Sequence, residues 1–207
     1  MSDYTSLDIG TSDLVYMPSE DTELAAGLLA EYLGEEEDDN LAILDMGTGT
    51  GALGLTAAMS RKAGSVLFAD KDVNALELAK RNVLMNREML HAKCSFVRTD
   101  LFSDIGAMEL FDVMVFNPPY LPPDGDRSPL EDTWNGGKDG IEVTMAFIEG
   151  ARRRLRRGGA ILTVVSSLSN EESVYALADS LGLSVRNRRS VHIFFEDITA
   201  VLFIADI

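Results

Sequence analysis

With 207 residues, 46% of them hydrophobic, the chain is long enough for one core of ordinary size and too short for two full catalytic units. Its 34 acidic residues against 18 basic ones leave a net charge of −16, a field that repels phosphate backbones and disfavours direct binding of nucleic acid. There is no basic-then-apolar leader and no apolar run of the roughly 18 residues a membrane span requires, while a single cysteine and two histidines leave no internal disulfide and no zinc ligand set, so a metal-free cytoplasmic protein without membrane contact is expected.

In chain order, residues 1–40 read as a helical and loop extension whose end, Glu35-Glu36-Glu37-Asp38-Asp39, is a solvated acidic loop. Short apolar, β-branched runs then alternate with helical patterns. Ala42–Asp45, Ser65–Asp70, Ser95–Val97, Phe111–Phe116 and Ala160–Val165 have the character of buried parallel strands. Asn74–Met85 and Ile141–Leu155 carry helix patterns between them, which predicts a parallel sheet covered on both faces. The arginines from Arg152 to Arg157 are expected to close the second of these helices, with Gly158-Gly159 stopping it. Leu183–Val191 and Thr199–Ala205 follow with no room for a crossover helix and should pair as a hairpin. Cys94 is read as a small, buried apolar side chain in or near a strand.

Four strand ends carry recognisable chemistry. Asp45-Met46-Gly47-Thr48-Gly49-Thr50-Gly51 leaves the first strand and enters a helix pattern at Ala52, the context of a nucleotide-binding glycine loop. No Gly-Lys-Ser/Thr follows, so a triphosphate is disfavoured. Gly49 to Gly54 also fits the dinucleotide spacing, and the letters alone are ambiguous. Asp45 weighs against a pyrophosphate, which it would repel, and for a ligand bearing an ammonium group. Asp70 ends the second strand, where a carboxylate can take both ribose hydroxyls; Asp100 and Leu101 follow the third, placed for an adenine amino group and ring.

Asn117-Pro118-Pro119-Tyr120 ends the fourth strand. The prolines restrict the chain and fix the directions of the Asn117 amide and the Pro118 carbonyl. Two such acceptors would hold the N–H groups of a planar nitrogen and turn its lone pair toward a sulfonium methyl group, with Tyr120 packing on the planar group. The residues thus point to an S-adenosylmethionine-dependent N-methyltransferase. The alternatives are methylation of an exocyclic base amine in RNA or DNA, methylation of a protein lysine, a silent scaffold of the same fold, and a dinucleotide-binding module.

These motifs resemble the HemK family of glutamine methyltransferases. Val15-Tyr16-Met17-Pro18-Ser19-Glu20-Asp21-Thr22 is similar to the opening motif of its compact eukaryotic and archaeal branch, and Trp134-Asn135-Gly136-Gly137-Lys138-Asp139-Gly140 to that branch's Gly-Gly segment. The resemblance implies a Rossmann-like class I methyltransferase over residues 1–207, with strand order 3-2-1-4-5-7-6 and residues 1–40 packing over the cofactor site. It implies Thr22 near the cofactor's carboxylate, Asp45 and Gly47 at its methionine part with Gly49 and Gly51 in the same loop, Asp70 at the ribose, Asp100 and Leu101 at the adenine, and Asn117 between substrate and cofactor. The implied substrate is the glutamine of the Gly-Gly-Gln motif in class I peptide chain release factors. The implied partner is a small zinc-binding activator that adds a strand at the third-strand edge, Cys94–Val97. His192-Ile193-Phe194-Phe195-Glu196 carries no family signature, and its aromatic residues suggest a packed turn rather than an acid/base pair.

Overall fold

A computed structural model describes residues 6–119 and 141–206. Helix α1 (Glu20–Glu35) precedes strand β1 (Leu41–Met46), then α2 (Ala52–Ala58), β2 (Ala63–Asp70), α3 (Val73–Met85), β3 (Lys93–Arg98) and β4 (Phe111–Phe116). After these come α4 (Glu142–Arg152), β5 (Leu155–Ser166), α5 (Glu171–Ser180), β6 (Leu183–Ile193) and β7 (Glu196–Ala205). The strands form a seven-stranded sheet in the order β3-β2-β1-β4-β5-β7-β6. All neighbours are parallel except around β7, which runs antiparallel to both β5 and β6, so the expected order and terminal hairpin are both present.

Burial on both faces explains why the central strands are apolar without interruption. In β1 and β4, Ile43, Val113 and Val115 join one core layer while Leu44, Met114 and Phe116 join the other. The first layer is closed by Leu28, Leu29 and Leu33 of α1 and Leu53 and Leu55 of α2; the second by Phe147 and Ile148 of α4 and Val174 of α5. With the sheet sealed on both faces, only its edges and strand ends are left for ligands. No helix among the described residues is long and apolar enough to cross a membrane.

Helix α4 ends at Arg152, earlier than the arginine run suggests, and β5 begins at Leu155, which already pairs with Phe111. Arg154 and Arg156 are held by partners remote in sequence. Arg154 stacks over the Phe102 ring at 4.9 Å, and Arg156 bridges to Asp112 at 2.5 Å. The register shift between Phe111 and Val113 absorbs the extra residues, with Gly158 at φ +71° and Gly159 so close to the Asp112 carbonyl that a Cβ would lie 2.7 Å from it. Cys94 is half-buried in β3, where burial pushes its thiol up to about 11.

The turn between β6 and β7 also departs from expectation. Phe194 and Phe195 are 88% and 92% exposed, so this turn is not packed. It extends past the end of the sheet and is braced by polar contacts: Ser166 Oγ donates to Glu196 Oε2 (2.5 Å), Asp197 N to Ser167 Oγ (2.8 Å), and His192 Nδ1 lies 2.8 Å from Asp197 Oδ1. His192 and Glu196 thus turn to different partners.

Candidate functional site

A cleft of about 560 Å³ opens at the carboxyl ends of β1, β2 and β4, where ligands of open α/β sheets bind. Its floor is the loop from Asp45 to Gly51. Gly47 (φ +58°) and Gly51 (φ +87°) adopt left-handed backbone that side chains resist, and a Cβ on Gly47 would fall 2.6 Å from the Phe116 ring. Gly51 opens α2 with no side-chain cap. Gly49 has no such crowding, and its N–H instead donates to Asp70 Oδ2 (3.0 Å).

Asp45 is 1% exposed and lines the cleft. Its Oδ2 accepts from the Thr48 hydroxyl (2.5 Å) and the Gly54 N–H (2.9 Å). Burial, helped by the nearby Asp70 charge, pushes its carboxyl up to about 7 against the pull of these two donors. No cation balances it among the described residues' ion pairs. Gly54 is part of this arrangement, because a Cβ there would lie 2.7 Å from Asp45 Oδ2. Thr48 and Gly54 are site residues that motif reading passed over; the fourth glycine of the loop was the available signal.

At the end of β2, Asp70 accepts from Gly49 N and, through Oδ1, from Asp72 N (2.9 Å). Burial raises its carboxyl above the usual range despite these donors. Asp100 and Leu101 both line the cleft after β3, Asp100 exposed and Leu101 at φ +48°. Thr99 holds that turn, its hydroxyl donating to the Leu101 carbonyl (2.9 Å) and accepting from Asp104 N (3.0 Å).

The remaining wall comes from the segment before α1. Leu14, Val15, Tyr16, Pro18 and Thr22 line the cleft, and Val15 is buried against Ala75 and Leu78 of α3. Two asparagines of α3 and its end fasten this segment. Asn82 Oδ1 accepts from Gly10 N (3.0 Å) while its Nδ2 donates to the carbonyls of Gly10 (3.0 Å) and Thr50 (2.8 Å). Asn86 exchanges a matching pair of bonds with Asp8, both at 2.8–2.9 Å.

Asn117 and Pro119 reach the cleft directly after β4, with Pro118 buried between them. Asn117 Nδ2 donates to Asp21 Oδ2 (2.9 Å) and to Thr22 Oγ1 (3.3 Å). Asn117 Oδ1 is buried and accepts from no described protein donor. The structure therefore brings together Thr22, Asp45, Gly47, Gly49, Asp70, Asp100, Leu101, Asn117 and Pro119 around one cleft, while Gly51 of the same loop faces Ala79 and Phe68 instead of the cleft. Tyr120 and the Trp134–Gly140 segment lie outside the described residues. Asp21, 1% exposed, is a further member that sequence reading did not single out.

A parallel sheet closed by one reversed strand, with an acid-bearing glycine loop and Asn-Pro-Pro at adjacent strand ends, defines a class I methyltransferase. The model of the methyltransferase small domain matches residues 18–190, and the chain belongs to that family. Within it, the chain is of the glutamine-methylating, HemK type, with S-adenosylmethionine as its methyl donor. A provisionally named protein N5-glutamine methyltransferase of Methanocaldococcus jannaschii is 33% identical over 192 residues, covering 90% of each chain. The release factor glutamine methyltransferase of Moorella thermoacetica is 29% identical over 187 residues, 87% of this chain and 64% of that protein. The Mtq2–Trm112 complex of E. cuniculi, described as responsible for methylation of the eRF1 translation termination factor, superposes with a TM-score of 0.68 and 26% identity over 93% of this chain and 99% of that one.

Proposed function

We propose that this chain methylates the side-chain amide nitrogen of the glutamine in the Gly-Gly-Gln motif of a class I release factor, in the cytoplasm. The observation that carries the reading is the buried Asn117 Oδ1, an acceptor at the cleft with no described protein donor. Leaving such an atom unpaired costs roughly 1–3 kcal/mol, which an incoming N–H would recover.

The residues present fit the donor. Asp45 offers a buried carboxylate that no cation among the described residues pairs with, suited to the ammonium of the methionine part, with Thr22 toward its carboxylate end. Gly47, Gly49 and Gly51 let the backbone approach closely. Asp70 keeps lone pairs free for two ribose hydroxyls, and Asp100 with Leu101 flanks the adenine. When bound, the donor supplies a methyl group on a positively charged sulfur.

The chain's part in the reaction is to aim a poor nucleophile. The amide lone pair is delocalised, and attack requires it to point along the sulfur–methyl bond. Asn117 Oδ1 and the Pro118 carbonyl each accept one N–H of the glutamine amide and set that direction. Both acceptors gain strength as positive charge develops on the nitrogen, so they favour the transition state over the ground state. Pro118 and Pro119 restrict the segment.

Asp70→Ala should weaken the cofactor first: a rise in its dissociation constant of about 10-fold or more by calorimetry, with turnover at saturating cofactor changed far less. Equal turnover loss at saturation would move Asp70 out of the cofactor role.

The same reading includes a small zinc-binding activator on the edge of β3, which among the described residues pairs only with β2. Support comes from the two-chain Mtq2–Trm112 assembly that this fold matches. The deciding experiment supplies labelled cofactor, with and without the activator, to a release factor carrying Gly-Gly-Gln or Gly-Gly-Ala. Label on the first alone is expected; label on neither, or on both, would exclude this acceptor.

A further inference from the structure

An asparagine amide is nearly symmetric in shape, and a half turn exchanges its acceptor for a pair of donors. At position 117 that half turn decides whether the cleft presents an oxygen to the N–H groups of a substrate amide or confronts them with hydrogens. Backbone restriction by the following prolines leaves this torsion open. Asp21 closes it. A carboxylate accepts and does not donate, so its Oδ2, 2.9 Å from the Asn117 amide, is compatible only with Nδ2 on that side and Oδ1 on the other.

Asp21 is itself unable to swing away. It is buried at the start of α1 and accepts from Thr22 N (2.6 Å), Thr22 Oγ1 (3.2 Å), Ser19 Oγ (2.7 Å) and the Tyr16 hydroxyl (3.4 Å). Its first-turn position also sets it in the favourable end of the helix dipole. The outcome of this orientation is visible at the other end of the amide, where Oδ1 is buried and has no described donor.

We infer that Asp21 is a positioning residue that grips the Asn117 amide by its nitrogen, so that the carbonyl oxygen is the atom offered to the reacting nitrogen. This rests on the methyl-transfer role given to Asn117 above. Asp21 also polarises the amide it holds, which adds electron density to Oδ1 and strengthens an acceptor that matters most as the nitrogen becomes positive. Its loss therefore acts on kcat rather than on cofactor binding.

The test compares Asp21→Asn, Asn117→Asp and the exchanged pair Asp21→Asn/Asn117→Asp. In the exchanged pair the new amide donates to the new carboxylate, and an oxygen again faces the cleft. Single-turnover transfer to a Gly-Gly-Gln release factor at saturating cofactor should fall roughly 10-fold or more in Asp21→Asn, with the cofactor Kd within about threefold. The exchanged pair should run at least about 10-fold faster than Asn117→Asp alone. A wild-type rate in Asp21→Asn, or no recovery in the exchanged pair, would overturn the inference. A structural role alone would not lower single-turnover transfer while leaving the cofactor Kd within about threefold. Side-chain amide NMR gives a readout independent of substrate: the Asn117 NH₂ protons, identified by their loss in Asn117→Asp, should exchange slowly in the wild type and quickly in Asp21→Asn. Should the wild type methylate no Gly-Gly-Gln protein, the substrate reading fails and these NH₂ signals alone decide for Asp21; fast exchange in the wild type would overturn it.

Discussion

Asn117→Ala is expected to lower methyl transfer by roughly 10²-fold or more while cofactor affinity stays within about threefold. The size follows from what is removed. The substituted segment keeps the rigid prolines and the cleft, but the planar nitrogen is no longer steered by an acceptor at the end of β4. Stability should decline modestly, since Asp21 loses one donor and retains those from Ser19 and Thr22. Paired measurements of kcat and cofactor Kd decide the matter. A proportional loss in both would make Asn117 a cofactor ligand and remove the basis for its proposed role.

The second large effect is expected at Asp45. Its carboxyl is ordinary, at 3.8, in the unfolded chain and about 7 in the folded one, because burial disfavours the charged form. Between those values the folded state holds the extra proton, so stability falls as pH rises from about 4 to about 7 and stays reduced above that. The full penalty is roughly 4 kcal/mol at pH 8 by that linkage. Asp45→Asn keeps an oxygen for the Thr48 hydroxyl and the Gly54 N–H while removing the charge. The cofactor-free variant should melt several degrees above the wild type at pH 8 and close to it near pH 4. Cofactor affinity should drop between about 10- and 100-fold, the cost of losing a charge-assisted contact. Thermal scans at the two pH values and one titration check both halves. A variant that melts lower at pH 8, or that binds the cofactor as tightly as before, contradicts this account.

The parts of the fold and site that can be read from sequence are those governed by local rules. β4 has the expected bounds, Phe111–Phe116, because a strand buried on both faces is apolar throughout. Asp45, Asp70 and Asn117 could be placed because each ends a strand and strand ends converge at one rim. What escaped depends on distant partners. The arginine run has helix-end character, yet Arg156 is claimed by Asp112 and Leu155 by Phe111, 44 residues away in each case. Phe194 and Phe195 carry apolar side chains into solvent because the hairpin outruns the sheet, and large apolar residues are not obliged to be inside. Asp21 looks like an ordinary acidic residue of a first helical turn; its partner Asn117 is 96 positions on.

Asn82 gives the molecule one more property. The same side-chain amide holds the Gly10 carbonyl of the leading segment and the Thr50 carbonyl of the glycine loop. With the donor bound on that loop as proposed, fastening of the segment and capture of the donor become reciprocal equilibria, each favouring the other by the same factor. A protease that samples the unfastened chain around residue 12 would consequently count donor occupancy without entering the cleft, and its cutting rate would fall as the donor concentration rises.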